Sequence, residues 1–405
     1  MSVATRAPFV IPEIFRSDPF PPWPYYADDE IEAALQVLRS GRVNYWTGKE
    51  GVQFEEEFAE YVGARHAIAV ANGTVALELA LVALGIGPGD EVITTCRTFI
   101  ASASCVAMRG ATPVVVDVDP ISQNLTAETI RPHITERTRA IIAVHLAGWP
   151  CDMDSILKLA REHDLNVVED CAQAHGAHYK GRHVGTMGDL GAFSFCQDKI
   201  ITTAGEGGMV ITNDETLWDR AWSFKDHGKD HTAMRGRPAQ SSDRSRYVHR
   251  GFGTNWRLTE MQSAVGRVQL RKLDRWVERR RANAQLLTDG FSRIPGLAVR
   301  VPPADVLHSY YVYYVFVEPE ALRDGWNRDR ILGKIMVQGV PCYTGICPEI
   351  YREKAFAEIG PTQRRPVAKL LGETSLMFPV HPYLGETEMR KVVAAVTKVM
   401  QRAVP

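Results

Sequence analysis

Between residues 66 and 170 one pattern repeats. Runs rich in valine and isoleucine at 66–70, 91–95, 112–116, 140–144 and 166–168 alternate with helix-forming segments at 75–84, 102–108, 127–130 and 155–163. Short apolar strands separated by helices pair as a mostly parallel sheet with both faces covered, so the expected fold class is α/β. Ligands on such sheets gather beyond the carboxyl ends of the strands. A chain of 405 residues, 45% hydrophobic, has enough apolar material for that core and for a smaller second domain.

Residues with chemical capacity fall at those strand ends. After the first strand come Asn72-Gly73-Thr74 and then a helix. A glycine turn at a helix start can receive a phosphate, because unpaired backbone N–H groups and the positive end of the helix dipole point the same way; a plain N-cap threonine is the structural alternative. There is no GxGxxG and no GxxxxGK[ST], which argues against a dinucleotide turn or a P-loop. Thr98-Phe99 follows the second strand, and the strand at 166–168 runs into Glu169-Asp170-Cys171-Ala172-Gln173. A carboxylate at the mouth of a buried strand is costly unless paired, so Asp170 calls for a cation, an N-cap role or a local arginine.

The segment 191–210, GAFSFCQDKIITTAGEGGMV, puts Lys199 between two apolar strands, with Ser194 closing the first. An ammonium between buried elements loses hydration, which favours the free amine that attacks carbonyls, as a Schiff-base lysine must. A hairpin with a solvated lysine has the same local sequence.

The charged residues nearly cancel, 47 basic against 48 acidic, which removes any bulk drive toward nucleic acid or an anionic membrane. Seven cysteines form no CxxC pair and no zinc-ligand spacing, so no metal site is expected and the thiols read as reduced, as in the cytoplasm. Neither a signal-peptide pattern nor an apolar run of membrane-spanning length is present. The expected organisation is an N-terminal arm at 1–27, a large domain at 28–285 and a smaller α+β domain at 286–405. Within it, 227–250 reads as a long polar mobile loop, and a single long helix is expected after Leu258, basic through Arg281 on a solvated face.

Taken jointly, NGTVAL, VVEDCAQAHGA, SFCQDK, GEGGMV and NWRLTEMQSAVG resemble the DegT/DnrJ/EryC1/StrS family of sugar aminotransferases, which use pyridoxal 5'-phosphate on the aspartate-aminotransferase fold (fold type I). The likeness extends from about Trp46 to the last helix. It implies a cofactor-binding large domain in which Lys199 forms the Schiff base and shuttles a proton. Asp170 would keep the pyridine nitrogen protonated, Gln173 would contact the ring hydroxyl, and Phe99 would stack on the ring. Gly73, Thr74 and Ser194 would hold the phosphate, joined by Asn255 from the neighbouring subunit, so a homodimer with shared active sites is implied.

The implied reaction moves an amino group from L-glutamate or L-glutamine to a nucleotide-linked 4-keto-6-deoxyhexose, with Arg244 and Arg250 as candidates for the diphosphate. Alternatives are a 3-keto sugar or an inosose as acceptor, sugar dehydration, and a cofactor-binding sensor without turnover. Three departures stand out. Cys196-Gln197-Asp198 replaces His-Pro-Thr/Ser-type residues before the lysine and Ile200 replaces asparagine; 227–250 is long; and 339–347 lacks a His/Tyr-Pro-rich run. The lysine is retained where dehydratase members carry histidine, which favours transamination.

Overall fold

The computed structural model describes residues 20–235, 248–361 and 363–405. The first strands are β1 (His66–Val70), β2 (Glu91–Thr95), β3 (Thr112–Val116), β4 (Thr138–Val144) and β5 (Asn166–Asp170). Two short strands follow, β6 (His178–Tyr179) and β7 (Arg182–His183), then β8 (Leu190–Ser194) and β9 (Gly208–Thr212). A seven-stranded sheet runs in the order β1-β9-β8-β5-β4-β2-β3.

Strands β8, β5, β4, β2 and β3 are mutually parallel, while β9 runs antiparallel to both neighbours. The segment joining β8 to β9 contains no helix that could carry the chain back across the sheet, so it returns as an antiparallel partner. Lys199 lies in that return. Because Asp170 on β5 pairs with Ala192 on β8, the acid and the lysine-bearing segment leave the sheet at the same edge.

Alternation along β4 shows how both faces are buried. Ala140, Ile142 and Val144 pack with residues such as Leu77 and Cys105 of the helices Gly73–Ala83 and Ala101–Met108. Ile141 and Ala143 pack on the other face with Ile156 and Leu159 of the helix Met153–Glu162. A period of two with both faces apolar is the signature of a sandwiched strand.

The C-terminal part contains β10 (Leu297–Val299), β11 (Val306–Leu307), β12 (Tyr313–Val317) and β13 (Ser375–Phe378). Strands β10, β12 and β13 form an antiparallel sheet, and β11 pairs with β6 beside β7. A second core unites that sheet with Ile331 and Ile335 of the helix Arg328–Met336 and with Val392 and Val396 of Glu386–Ala403.

After Leu258 two helices stand where one was expected, Glu260–Leu270 and Leu273–Phe291. The second passes through residue 285 unbroken: Trp276 and Val277 belong to the core beside β8 and β9, whereas Leu287 and Phe291 belong to the C-terminal core. Within 227–250, the described residues form a short helix (His231–Arg235) and a bridge between Lys229 and His249; the rest of the loop expected there, residues 236–247 with Arg244, lies outside the described residues.

The described part of the N-terminal arm packs on the body. Trp23 donates its indole N–H to the Lys199 carbonyl at 2.9 Å and meets Trp276 edge-on with ring centroids 5.2 Å apart. Among the described residues no helix is long and apolar enough to cross a membrane.

Candidate active site

A cavity of about 620 Å³ opens at the carboxyl ends of the parallel strands. Seven of the eight residues singled out from the sequence line it: Gly73 and Thr74 on one side, Phe99 from the segment after β2, Asp170 at the end of β5 with Gln173 just beyond it, and Ser194 and Lys199 from β8 and its return. Asn255 does not. It is exposed, bridges Asp226 through the backbone, and accepts the Arg257 amide at its Oδ1.

The phosphate-type end is formed by the first turn of Gly73–Ala83. Asn72 caps this helix by accepting the Val75 N–H at its Oδ1, so the capping role weighed for Thr74 falls to the residue two positions earlier. The Thr74 side chain is left facing the cavity. A Cβ on Gly73 would stand 2.5 Å from the Ser194 Cβ, so only glycine lets the helix start and the end of β8 meet here. Ser194 is itself oriented by the Cys196 amide, which donates to its Oγ at 3.3 Å.

Two adjacent carboxylates at the end of β5 are treated in opposite ways. Glu169 is fully buried and accepts amide N–H groups from Gly185, Met187 and Gly188 at 2.7–2.8 Å, with His145 Nε2 3.0 Å away. The His145 Nδ1 accepts the Cys151 amide, so Nε2 carries the proton and donates to Glu169. Burial alone would raise the Glu169 carboxyl, but the histidine and the amides hold it below its ordinary value. This acid is structurally satisfied.

Asp170, 5% exposed, accepts only the Ser102 hydroxyl at 2.7 Å and the Ala172 amide at 3.1 Å, and makes no ion pair among the described residues. Burial pushes its carboxyl above its ordinary value, partly offset by those two bonds. A buried carboxylate short of partners and facing a cavity is matched to a cation supplied by a ligand. A protonated ring nitrogen meets that need.

Gln173 offers one end of its amide. Its Oε1 accepts the Ala147 N–H at 2.8 Å, which leaves the NH₂ group to donate toward a ring hydroxyl oxygen. Phe99 is 60% exposed at the cavity wall, an aromatic face free to stack on a planar group. Together these groups fit pyridoxal phosphate: amides and hydroxyls for its phosphate, an acid for its nitrogen, and an amine for its carbonyl.

Among the described residues, Lys199 is the single lysine lining this cavity. Its loop is pinned from below: Thr202 donates its hydroxyl to the Phe195 carbonyl at 2.9 Å and its amide to Gln269 Oε1 at 2.8 Å. The Nζ lies 3.2 Å from Asp198 Oδ2 and 3.5 Å from the Tyr311 hydroxyl. Sequence reasoning missed Tyr311 and Ser102, which sit in an aromatic run and an Ala/Ser helix with no local mark. Asp198 was visible only as a departure before the lysine. Arg250 forms an ion pair with Asp219 and donates to Ser223, and it does not line the cavity.

Fold and site define a pyridoxal-phosphate-dependent aminotransferase of fold type I. The model of the DegT/DnrJ/EryC1/StrS aminotransferase family matches residues 24–397, and the chain belongs to that family. It is 37% identical to GDP-perosamine synthase of Escherichia coli O157:H7 over 347 residues, covering 85% of this chain and 89% of that one. It is also 37% identical to dTDP-3-amino-3,4,6-trideoxy-alpha-D-glucose transaminase of Streptomyces venezuelae over 375 residues, 92% and 93% of the two chains. Among solved structures, the aminotransferase from Psychrobacter cryohalolentis is 52% identical, with a TM-score of 0.91 over 94% of this chain and 99% of that one.

Proposed function

We propose that the enzyme moves an amino group from L-glutamate or L-glutamine to a nucleotide-linked keto sugar, a 4-keto-6-deoxyhexose. The observation that carries this reading is the meeting of one lysine amine, one under-satisfied buried acid and one glycine-led helix start around a single cavity. The names of the two curated relatives, each bearing a nucleotide diphosphate and an amino sugar, support a nucleotide-linked acceptor; one of them names a 3-amino sugar, which keeps a 3-keto sugar as the alternative.

In this reading the cofactor supplies the carbonyl that exchanges nitrogen and a ring that accepts the electron pair. Lys199 would be the residue that holds the cofactor's carbonyl carbon and the base that moves the proton there. Asp170 keeps the ring nitrogen protonated, with Ser102 orienting the carboxylate. Gly73, Thr74 and Ser194 bind the phosphate through amides and hydroxyls, Gln173 donates to the ring oxygen, and Phe99 covers one ring face.

Asn255 serves the phosphate of a partner subunit, and the working unit is a homodimer with shared sites. The position of Asn255 outside its own chain's cavity supports that assignment. A cytoplasmic location is supported by the seven free cysteines.

The test is a screen of nucleotide-linked keto sugars against the pyridoxamine form of the purified enzyme, with ¹⁵N-labelled glutamate or glutamine as donor. The expected outcome is a 4-amino-6-deoxy sugar nucleotide carrying the label, seen by mass spectrometry. Label at carbon 3 of the sugar, or preferential amination of an inosose offered in the same screen, would overturn the acceptor, and an unlabelled deoxygenated sugar would overturn transamination.

A further inference from the structure

Asp198 is the one charged residue among the departures that directly precede the lysine, and it faces the lysine amine. The Tyr311 hydroxyl donates a short hydrogen bond to the same Oδ2 that lies 3.2 Å from Nζ. The ammonium also sits 5.0 Å from the centroid of the Tyr311 ring, within cation–π range. Tyr311 is in turn fixed from behind, because the buried Arg280 donates its Nη1 to the Tyr311 carbonyl at 2.9 Å.

Asp198 and Tyr311 line a second cavity as well, of about 700 Å³, bounded by Phe20–Trp23 of the arm and by segments around Val340 and His381. The pair therefore stands on the partition between the two spaces. A lysine whose nitrogen is not bonded to cofactor has a flexible four-carbon stem and many rotamers. Without a partner on the partition, its amine is free to leave the catalytic side.

We propose that Asp198, held by Tyr311, is a positioning residue that docks the Lys199 ammonium whenever that nitrogen is not bonded to the cofactor. This rests on Lys199 being the cofactor-binding lysine. The other ionisable groups around the amine are Asp170 and His175 beneath it, Cys196 and Glu206 along the same loop, and Arg280 behind Tyr311. Burial keeps His175 neutral, with its value pushed down to about 3, and raises the Cys196 thiol. Asp198 is thus the carboxylate in direct contact. Burial works against its ionisation, but the ammonium and the phenol hold it below its ordinary value.

The experiment measures acetylation of Lys199 in cofactor-free protein at pH 8 by peptide mass spectrometry, in the wild type, Asp198→Asn and Tyr311→Phe, with exposed Lys180 as internal reference. Asp198 is 53% exposed at its side chain, so its replacement leaves the packing intact. Loss of a half-solvated ion pair predicts roughly fivefold faster labelling of Lys199 in Asp198→Asn, a smaller rise in Tyr311→Phe, and no change at Lys180. A Lys199 rate in Asp198→Asn within twofold of wild type overturns the proposal. Borohydride trapping of the wild-type holoenzyme checks the underlying assignment separately, since cofactor found on another lysine refutes that assignment whatever the acetylation rates show.

Discussion

Asp170 is the last residue of β5, paired on one side with β4 and on the other with β8, whereas Lys199 stands in the return between β8 and β9 and is steadied by groups from distant segments. The acid is 5% exposed and touched only by Ser102 and Ala172, both within or just beside the elements that flank it. The amine is held by Asp198 and by Tyr311, 112 residues away, and its backbone carbonyl by Trp23, 176 residues away. One end of the cavity is thus an acid fixed at the end of a sheet strand and still short of a cationic partner. The other is a cation on a loop whose surroundings come from the neighbouring Asp198, the arm and the C-terminal part. On the proposed reading, in which Lys199 would bind the cofactor reversibly and Asp170 would stay paired with its ring, that difference suits each end to its role.

The largest expected effect is at the lysine end. Lys199→Ala should abolish the visible band of the bound cofactor and the half-reaction with glutamate, while retaining some cofactor non-covalently. Near-wild-type turnover in that variant would break the comparison outright.

At the acid end, Asp170→Asn should lower turnover by on the order of 10²-fold or more, because a neutral amide cannot hold the ring nitrogen protonated. The same substitution separates function from stability. Burial raises the folded-state Asp170 carboxyl above its unfolded value, so its ionised form costs stability at high pH, a cost relieved as pH falls through the interval between the two values. Cofactor-free Asp170→Asn should therefore be more stable than wild type at pH 8 by on the order of 1 kcal/mol, with the advantage shrinking on acidification. Denaturant melts at several pH values read this directly.

A smaller effect is expected at the phosphate end. In Gly73→Ala the added methyl would lie 2.5 Å from the Ser194 Cβ, so the helix start and the end of β8 must part. Cofactor retention on dialysis should fall roughly tenfold, with the band position unchanged, since neither Lys199 nor Asp170 is touched. A shifted band would show that the two ends are less independent than their construction implies.

Much of the acid end is legible in the sequence. Strands at 66–70, 91–95 and 112–116 coincide with β1, β2 and β3, because both-face burial leaves continuous apolar runs. Gly73 stands out as a turn glycine, and Thr74, Asp170 and Gln173 as polar residues, where such runs end. What local pattern does not carry is pairing across the chain. The reversal of β9, the contact of Ser102 with an acid 68 residues later, and the Tyr311 hydroxyl beside Asp198 all depend on which strands lie together. The division of the helix after Leu258 was likewise hidden, since its amphipathic pattern continues across residues 271 and 272. Arg250 illustrates the converse: an arginine in a polar loop looked available for phosphate, yet it is engaged by Asp219.

The most direct measurement is borohydride reduction of the yellow holoenzyme followed by peptide mass mapping. The account predicts one reduced cofactor adduct per chain, on Lys199 alone. An adduct on any other lysine, or none at all in protein that binds the cofactor and transaminates, would contradict it.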